Sequence, residues 1–430
     1  MKLKLLLIIA LFGVGIAMVV SNVSTDQSTE NEYATYLEKA RVGAEKKLPY
    51  IAVNNYKSAM KIQNNDESIY LEYLEQAKLL GEDAYVAAIE NYLIYFPNSA
   101  HAYDIAADYY YESERYPKVI DIALKARELG IASDKIKNYY YECGYSYDDI
   151  KGGLQEATSY VAGSALVKQN DLYGYIGSGG GYTLGPLYEK ASAFVGANAA
   201  VLQDGEWVMI NSEGYAVARP SRPVDEMSFL NSGLIRVYVD GKYDFMTSQM
   251  NVPEEPRFDY ASNFKKDVAA VCKDGKWALL NSQNVFITDY IFEDVILDEY
   301  ETCLNNGVIF VKSKGKYYMA NALGEKISEN AFDDAYPFVS SGYAAVCRNG
   351  EWGFADATGN IVIEPQYEDA KSFNISLGAV CKDGKWGYIS TGNEMRIDYT
   401  FEDCLPFASN GVAAVKQNDT WGYIVLQLYK

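Results

Sequence analysis

The stretch that decides the fold is Val380-Cys381-Lys382-Asp383-Gly384-Lys385-Trp386-Gly387-Tyr388-Ile389. Asp383-Gly384 supplies two residues that accept positive φ, which a two-residue type I′ hairpin turn requires. Such a turn sets Trp386 opposite Cys381 and Gly387 opposite Val380. Side chains alternate along a strand, so Trp386 and Tyr388 share one face and Val380 and Ile389 the other. Gly387 has no β-carbon, which suits close approach by another segment of chain.

The same context recurs outward in both directions. Val346-Cys347-Arg348-Asn349-Gly350-Glu351-Trp352-Gly353-Phe354 precedes it, and Val415-Lys416-Gln417-Asn418-Asp419-Thr420-Trp421-Gly422-Tyr423 follows. Further copies centre on Tyr173, Trp207, Tyr243, Trp277 and Tyr317, and the successive spacings are 34, 36, 34, 40, 35, 34 and 35 residues. A valine stands six residues before every centre, from Val167 to Val415. After each hairpin comes a further strand, as in Ile361-Val362-Ile363-Glu364-Pro365. An aromatic–acidic–small element follows, as in Tyr367-Glu368-Asp369-Ala370 leading to Phe373, or Phe401-Glu402-Asp403-Cys404 leading to Phe407. The unit centred on Tyr317 carries extra residues around Glu299 to Asn306.

These motifs resemble the WG-containing (KWG-type) repeat of bacterial proteins. The copy that matches best runs through Trp352, Gly353, Phe354, Gly359, Ile363, Pro365, Tyr367, Ala370 and Phe373. Tyr243-Asp244 and Tyr317-Tyr318 depart from the Trp-Gly pair. The resemblance implies an exported or surface-attached structural repeat, and it brings no catalytic residues with it.

One unit of this size cannot bury its apolar face alone, so neighbours must stack. Seven complete units plus a closing hairpin, Val415 to Leu426, fit a seven-bladed propeller-like ring. An open β-superhelix is the alternative.

Before these repeats, from about Thr35 to Val161, apolar residues recur at helical spacing. Breaks fall at Asn64-Asn65-Asp66, Gly81-Glu82-Asp83, Pro97-Asn98-Ser99, Gly130 and Gly144, with Asn98 or Ser99 placed to cap a helix beginning near His101. Ala52, Tyr56 and Ala59, then Ala88, Tyr92 and Tyr95 before Phe96-Pro97, resemble the second helix of a degenerate tetratricopeptide repeat. That resemblance implies a concave groove for peptides or partner proteins. A plain stack of α-hairpins with an aromatic core is the alternative. The chain therefore reads as an α+β multidomain protein: helical hairpin repeats over 30–163 and an all-β repeat domain over 164–430, divided at Gly163-Ser164.

At the amino terminus, Lys2 and Lys4 precede Leu5–Val20, a run of 16 residues without charge, and Asp26, Glu30 and Glu32 follow. This charge order places the amino terminus in the cytoplasm and the body outside. Residues 1–24 read as a single transmembrane anchor, with a cleaved signal peptide as the alternative. The expected location is extracytoplasmic, at the plasma membrane or secreted. The six cysteines read as small buried hydrophobes and not as a disulfide framework, because Cys272, Cys347 and Cys381 occupy equivalent repeat sites.

Composition narrows the chemistry. Acidic residues outnumber basic ones 58 to 38, a net charge of −20, which argues against nucleic acid as a partner. A single histidine, His101, removes triads and metal sites that need several imidazoles, and it reads as a solvated first-turn residue. Gly177-Ser178-Gly179-Gly180-Gly181 lacks the Gly-Lys-Ser/Thr of a phosphate loop and reads as a widened turn. The acidic pairs Asp333-Asp334 and Glu368-Asp369 could serve acid–base or calcium chemistry, but their recurrence with the repeat favours solvated loops. No catalytic, cofactor or metal residue is assigned, and the binding residues stay unknown. The expectation is a non-enzymatic binding or scaffold protein for a protein partner or a neutral cell-surface glycan. A structural spacer and a hydrolase with an unrecognised acidic site are the alternatives.

Overall fold

The computed structural model describes residues 27–340 and 342–429. The expected anchor or signal, residues 1–24, lies outside them. Tertiary contacts divide the chain between Gly144 and Tyr145 into two units.

Seven helices form the described part of the first unit: α1 (Gln27–Glu45), α2 (Pro49–Ile62), α3 (Glu67–Lys78), α4 (Glu82–Tyr95), α5 (Ala100–Glu112), α6 (Tyr116–Glu128) and α7 (Asp134–Gly144). The expected breaks separate α2 from α3, α3 from α4, α4 from α5 and α6 from α7, and end α7, whereas the breaks at 46–48 and 113–115 carry no such signal. The starts of α2, α4 and α6, and likewise of α3, α5 and α7, are 33 and 34 residues apart. The period has a local cause. Asp66, Ser99 and Ser133 each accept an amide N–H of the helix they precede, from Ser68, Ala102 and Ile136. Such caps satisfy amides that a helix start leaves without partners. Ala52, Tyr56, Ala59, Ala88 and Tyr92 are buried as the pattern requires, whereas Tyr95 is exposed.

The second unit consists of eight small antiparallel sheets, and it is a β-propeller of eight blades. Blade 7 shows the plan: β23 (Asp369–Asn374), β24 (Leu377–Lys382), β25 (Lys385–Ser390) and β26 (Met395–Phe401) pair in order. Trp386 lies opposite Cys381 and Gly387 opposite Val380, the register expected from the Asp-Gly turn. Asp383 and Gly384 both have positive φ. Trp386 and Tyr388 pack toward blade 8, while Val380 and Ile389 pack toward blade 6.

The expectation of seven blades and a closing hairpin is corrected to eight complete blades. In the last sheet β27 (Asp403–Cys404), β28 (Val412–Gln417) and β29 (Thr420–Leu426) gain a fourth strand, β1 (Tyr147–Leu154), from the other end of the unit. Residues 147–157, where helical spacing is expected, form strands instead, and the expected boundary at Gly163-Ser164 falls inside blade 1 instead of between units. Blade 1 comprises β2 (Glu156–Ala157), β3 (Ser164–Gln169), β4 (Leu172–Gly177) and β5 (Tyr182–Tyr188).

One contact recurs between blades and also closes the ring. Tyr175 Oη donates to the Ser192 carbonyl and Tyr388 Oη to the Leu405 carbonyl, both at 2.8 Å, each reaching the next blade. Tyr423 Oη of blade 8 donates to the Thr158 carbonyl of blade 1 at 2.7 Å. Eight buried clusters, one per interface, fill the spaces between blades, and that between blades 8 and 1 joins Tyr423 and Val412 to Tyr160 and Val167. The open superhelix is thereby excluded.

The residue after each repeat centre sorts the blades. Where it is glycine (Gly174, Gly353, Gly387, Gly422), the blade has a fourth strand of seven or eight residues. A β-carbon on Gly387 would lie 2.5 Å from the Ile397 carbonyl oxygen, and on Gly353 2.4 Å from that of Ile363. Blades 2 to 5 carry Val208, Asp244, Ala278 and Tyr318 there. Blade 2 has a fourth strand of only three residues, β9 (Ala216–Ala218), and blades 3, 4 and 5 are three-stranded sheets with outer segments held by isolated bridges. In blade 3, buried Asp244 is neutralised by a two-pronged bond from Arg257, at 2.7 Å for both contacts.

Candidate functional site

In a four-stranded meander, the first loop and the last turn of each blade emerge at one end of the ring. The Asp-Gly turns and the links between blades emerge at the other. The acidic pairs lie at this second end. The first acid of each pair accepts backbone N–H groups of the hairpin turn that follows it in the chain. Glu368 takes Asp383 N and Gly384 N at 3.0 and 3.1 Å, Glu402 takes Asn418 N and Asp419 N at 3.1 and 3.0 Å, and Glu293 takes Lys314 N and Gly315 N at 3.0 and 2.9 Å. Asp333 takes Asn349 N at 2.6 Å and also binds the Lys316 ammonium. The Gly315 and Asp419 amides hold the Glu293 and Glu402 carboxyls below the usual carboxylate range. The second acid turns back on the chain, as Asp369 and Asp403 do in accepting Ala370 N and Cys404 N at 2.8 Å. These carboxylates staple turns. That role explains their recurrence, which sequence reading had assigned to solvated loops.

The extra residues of blade 5 form a plug across the axis. They connect β16 (Asp294–Val295) to β17 (Ile309–Ser313). Asp298 shapes the tip by accepting Tyr300 N, Thr302 N and Thr302 Oγ1 at 3.0, 2.8 and 2.6 Å. Blade 4 anchors the base: Asn263 N donates to the Glu301 carbonyl at 2.7 Å, and Asn263 Nδ2 to the Tyr300 carbonyl at 2.8 Å. Blade 3 contributes Arg236, a buried guanidinium paired with Glu226 and Glu301. The tip ends on blade 1, where Ser159 N donates to Glu299 Oε2 at 2.9 Å and Tyr300 Oη donates to the Ser159 carbonyl at 3.1 Å. In a ring of eight, blades 1 and 5 face each other across the centre, so this contact crosses the axial channel. Glu299 still reaches solvent. Burial of its carboxyl among the blades, and after that the charge of Asp298, nonetheless hold it above the usual range.

His101 stands exposed in the first turn of α5, behind the Ser99 cap. Gly177–Gly181 makes the turn between β4 and β5, closed by Gly177 N to the Gly181 carbonyl at 2.9 Å. All six thiols are free and buried, and burial pushes those of Cys303 and Cys404 up to about 12. Trp207 and Trp386 are buried, and Trp277, Trp352 and Trp421 are partly so, which assigns them to blade packing. No group of three or more metal-ligating side chains occurs among the described residues, and no described helix is long and apolar enough to cross a membrane.

What remains on the surface is an uneven outer rim. Large apolar side chains are exposed on blade 2 (Tyr215, Val217), blade 4 (Val285, Phe286, Ile291) and blade 5 (Leu323, Ile327), with Leu187 on blade 1 and Val339 and Val362 on blade 6 besides. No signal in the repeat itself marked these positions.

The WG-containing repeat family matches residues 173–207, 255–277, 319–352, 352–386 and 386–421. No curated protein matches the chain. Among solved structures it is similar to a eukaryotic initiation factor, at 11% identity and a TM-score of 0.40, over 65% of this chain and 92% of that one. It is also similar to Hsv2 of Kluyveromyces lactis, at 10% identity and a TM-score of 0.32, over 63% of this chain and 90% of that one. The β unit is thus an eight-bladed propeller in which WG-containing repeats are found at residues 173–421.

Proposed function

We propose that this chain is a non-enzymatic scaffold that binds protein partners, held outside the cytoplasm and tethered to the plasma membrane by residues 1–24. The observation that carries the binding reading is the apolar rim of blades 2, 4 and 5. Clustered exposed apolar surface marks interaction sites. The recurring carboxylates that could have served an acid–base reaction are bonded to turn amides instead. The plug occupies the centre of the ring, which leaves the rim and ends for contact. The tether reading is supported by the charge order around Leu5–Val20. A stack of helices spaced 33 and 34 residues apart supports a second surface for partners.

The test is chemical cross-linking of the full chain in its own cell envelope, followed by identification of the joined residues. Protein adducts at rim or helical positions support the scaffold. Retention by glycan alone, or turnover in a hydrolase screen, overturns it. Deleting residues 1–24 should release the protein from membranes, and continued pelleting would remove the tether.

A further inference from the structure

Blades 4 and 5 present one continuous apolar edge with acidic flanks, and we propose that it docks a protein segment carrying large apolar side chains flanked by lysine or arginine. This inference rests on the scaffold reading above and names the partner's chemistry.

The edge originates at the position after the repeat centre. Ala278 and Tyr318 stand where regular blades have glycine, and the outer segments of both blades leave the regular ladder. They are held by the isolated bridges Trp277–Phe292 and Leu280–Phe286 in blade 4, and Tyr317–Phe332 and Ala320–Lys326 in blade 5. The residue before the bridging aromatic is Gln366 in blade 6 and Thr400 in blade 7, and among the glycine-bearing blades only blade 1 places an exposed apolar residue there, Leu187. In blade 4 it is Ile291, 58% exposed. Val285, Phe286 and Leu323 are 57%, 45% and 61% exposed beside it.

These side chains belong to one surface. A β-carbon on Gly324 would lie 2.5 Å from Thr288 Cγ2, so the turn bearing Leu323 rests on the segment bearing Phe286 and Ile291. On the other side, a cavity of ≈ 110 Å³ between blades 3 and 4 has an apolar wall of Leu234, Phe245, Phe264 and Leu280 and a polar mouth of Arg257, Asn281, Ser282 and Asn284. Leu280 is bridged to Phe286, and paired residues of an antiparallel ladder share a face. The cavity therefore adjoins the rim and has room for an apolar anchor, the kind of pocket in which binding energy concentrates.

Charge selects the partner. Segments 282–293 and 321–331 contain Asp289, Glu293, Glu325 and Glu329 against Lys326 alone. Asp289 and Glu325 are the exposed acids left over, because Glu329 is paired with Lys326, Glu293 is bonded to the Lys314 and Gly315 amides, and Arg257, which donates to Asn284 at 2.8 Å, is paired with Asp244. An acidic surround raises the rate of encounter with a basic partner and opposes an acidic one.

The experiment selects dodecapeptides from a random display library on the full chain, then measures the Kd of the synthesised peptides on full-chain variants. Enriched peptides should combine Leu, Ile or Phe with Lys or Arg. Phe286→Asp with Leu323→Asp should weaken them at least tenfold, and Thr400→Asp, at an exposed site on blade 7, should leave them unchanged. Asp289→Lys with Glu325→Lys, both at exposed sites that leave folding intact, should also weaken them, most strongly at low salt. Acidic or uncharged consensus peptides, or peptides indifferent to both rim variants, overturn the proposal while leaving a scaffold that binds elsewhere. Absence of any retained peptide overturns the scaffold reading together with it.

Discussion

The β-carbon missing from Gly387 decides where the last strand of blade 7 runs. With a methyl group there, 2.5 Å from the Ile397 carbonyl, β26 must shift outward, as the outer segments of blades 3 to 5 have done. Gly387→Ala should therefore cost about 1–3 kcal/mol, the range for overpacking a tight site. A denaturation midpoint equal to wild type would show that the strand yields freely. Trp386 is 6% exposed, with the Lys371 ammonium 4.7 Å from its ring centroid. Trp386→Ala should cost about 3–5 kcal/mol, as removal of a buried large aromatic does. An unchanged urea midpoint would instead assign the tryptophans to a ligand surface. Both roles were legible in sequence because they follow from local chemistry: the turn fixes the register, and register fixes the faces. The converse, that Val208, Asp244, Ala278 and Tyr318 loosen their blades, was not legible, because the strand that would clash lies several residues away and its path is a tertiary fact.

Turn staples and the plug respond to pH in opposite directions. Glu293 and Glu402 are held below the usual carboxylate range by the amides of Gly315 and Asp419. Their contribution is present above the unfolded carboxylate range, near pH ~4.3 for glutamate, and is lost as pH falls through the lower folded value. Glu293→Gln with Glu402→Gln should reduce stability at neutral pH and match wild type in strong acid. Acid-unfolding curves that stay parallel throughout would remove the staple. Glu299 has the reverse sign. Its raised carboxyl, faced by Asp298, Tyr300, Tyr336 and Tyr423, favours the closed tip when protonated. That contribution is complete below the unfolded value and is lost as pH rises through the folded one. Protection of the Ser159 amide from hydrogen exchange, corrected for intrinsic chemistry, should fall with rising pH in wild type and stay level in Glu299→Gln. Equal slopes would mean that the tip is held by Tyr300 alone. The insertion was visible in sequence as a 40-residue spacing among spacings of 34 to 36. Its path across the ring was not, since the partners Arg236, Asn263 and Ser159 carry no shared motif.

Ring closure belongs to the whole molecule, and here local reading failed for a physical reason. Tyr147-Asp-Asp-Ile-Lys-Gly-Gly-Leu154 shows no apolar alternation, because it is an edge strand with one fully buried side chain, Leu154. Its ladder partner, residues 421 to 426, lies at the far end of the chain. Yet this strand completes blade 8. The Lys151 carbonyl occupies the space that Gly422 leaves open, and Leu154 and Tyr160 pack with Tyr423 in the seam between first and last blades. The Thr158 carbonyl takes the Tyr423 hydroxyl at 2.7 Å. A fragment of residues 145–430 should therefore fold as a closed ring, whereas residues 164–430 lack both the outer strand of blade 8 and the first strand of blade 1. In a ring, each blade is held by two neighbours, so an open seam weakens blades 1 and 8 together. The shorter fragment should unfold at lower urea in a broader transition, and a peptide of residues 145–163 added in excess should restore part of the loss. Limited proteolysis of the full chain should cut between the units near residues 144–147 and leave 163–164 intact. Coincident unfolding curves for the two fragments, or cleavage at 163–164 that leaves the ring's midpoint unchanged, would mean that the ring closes without its first strand.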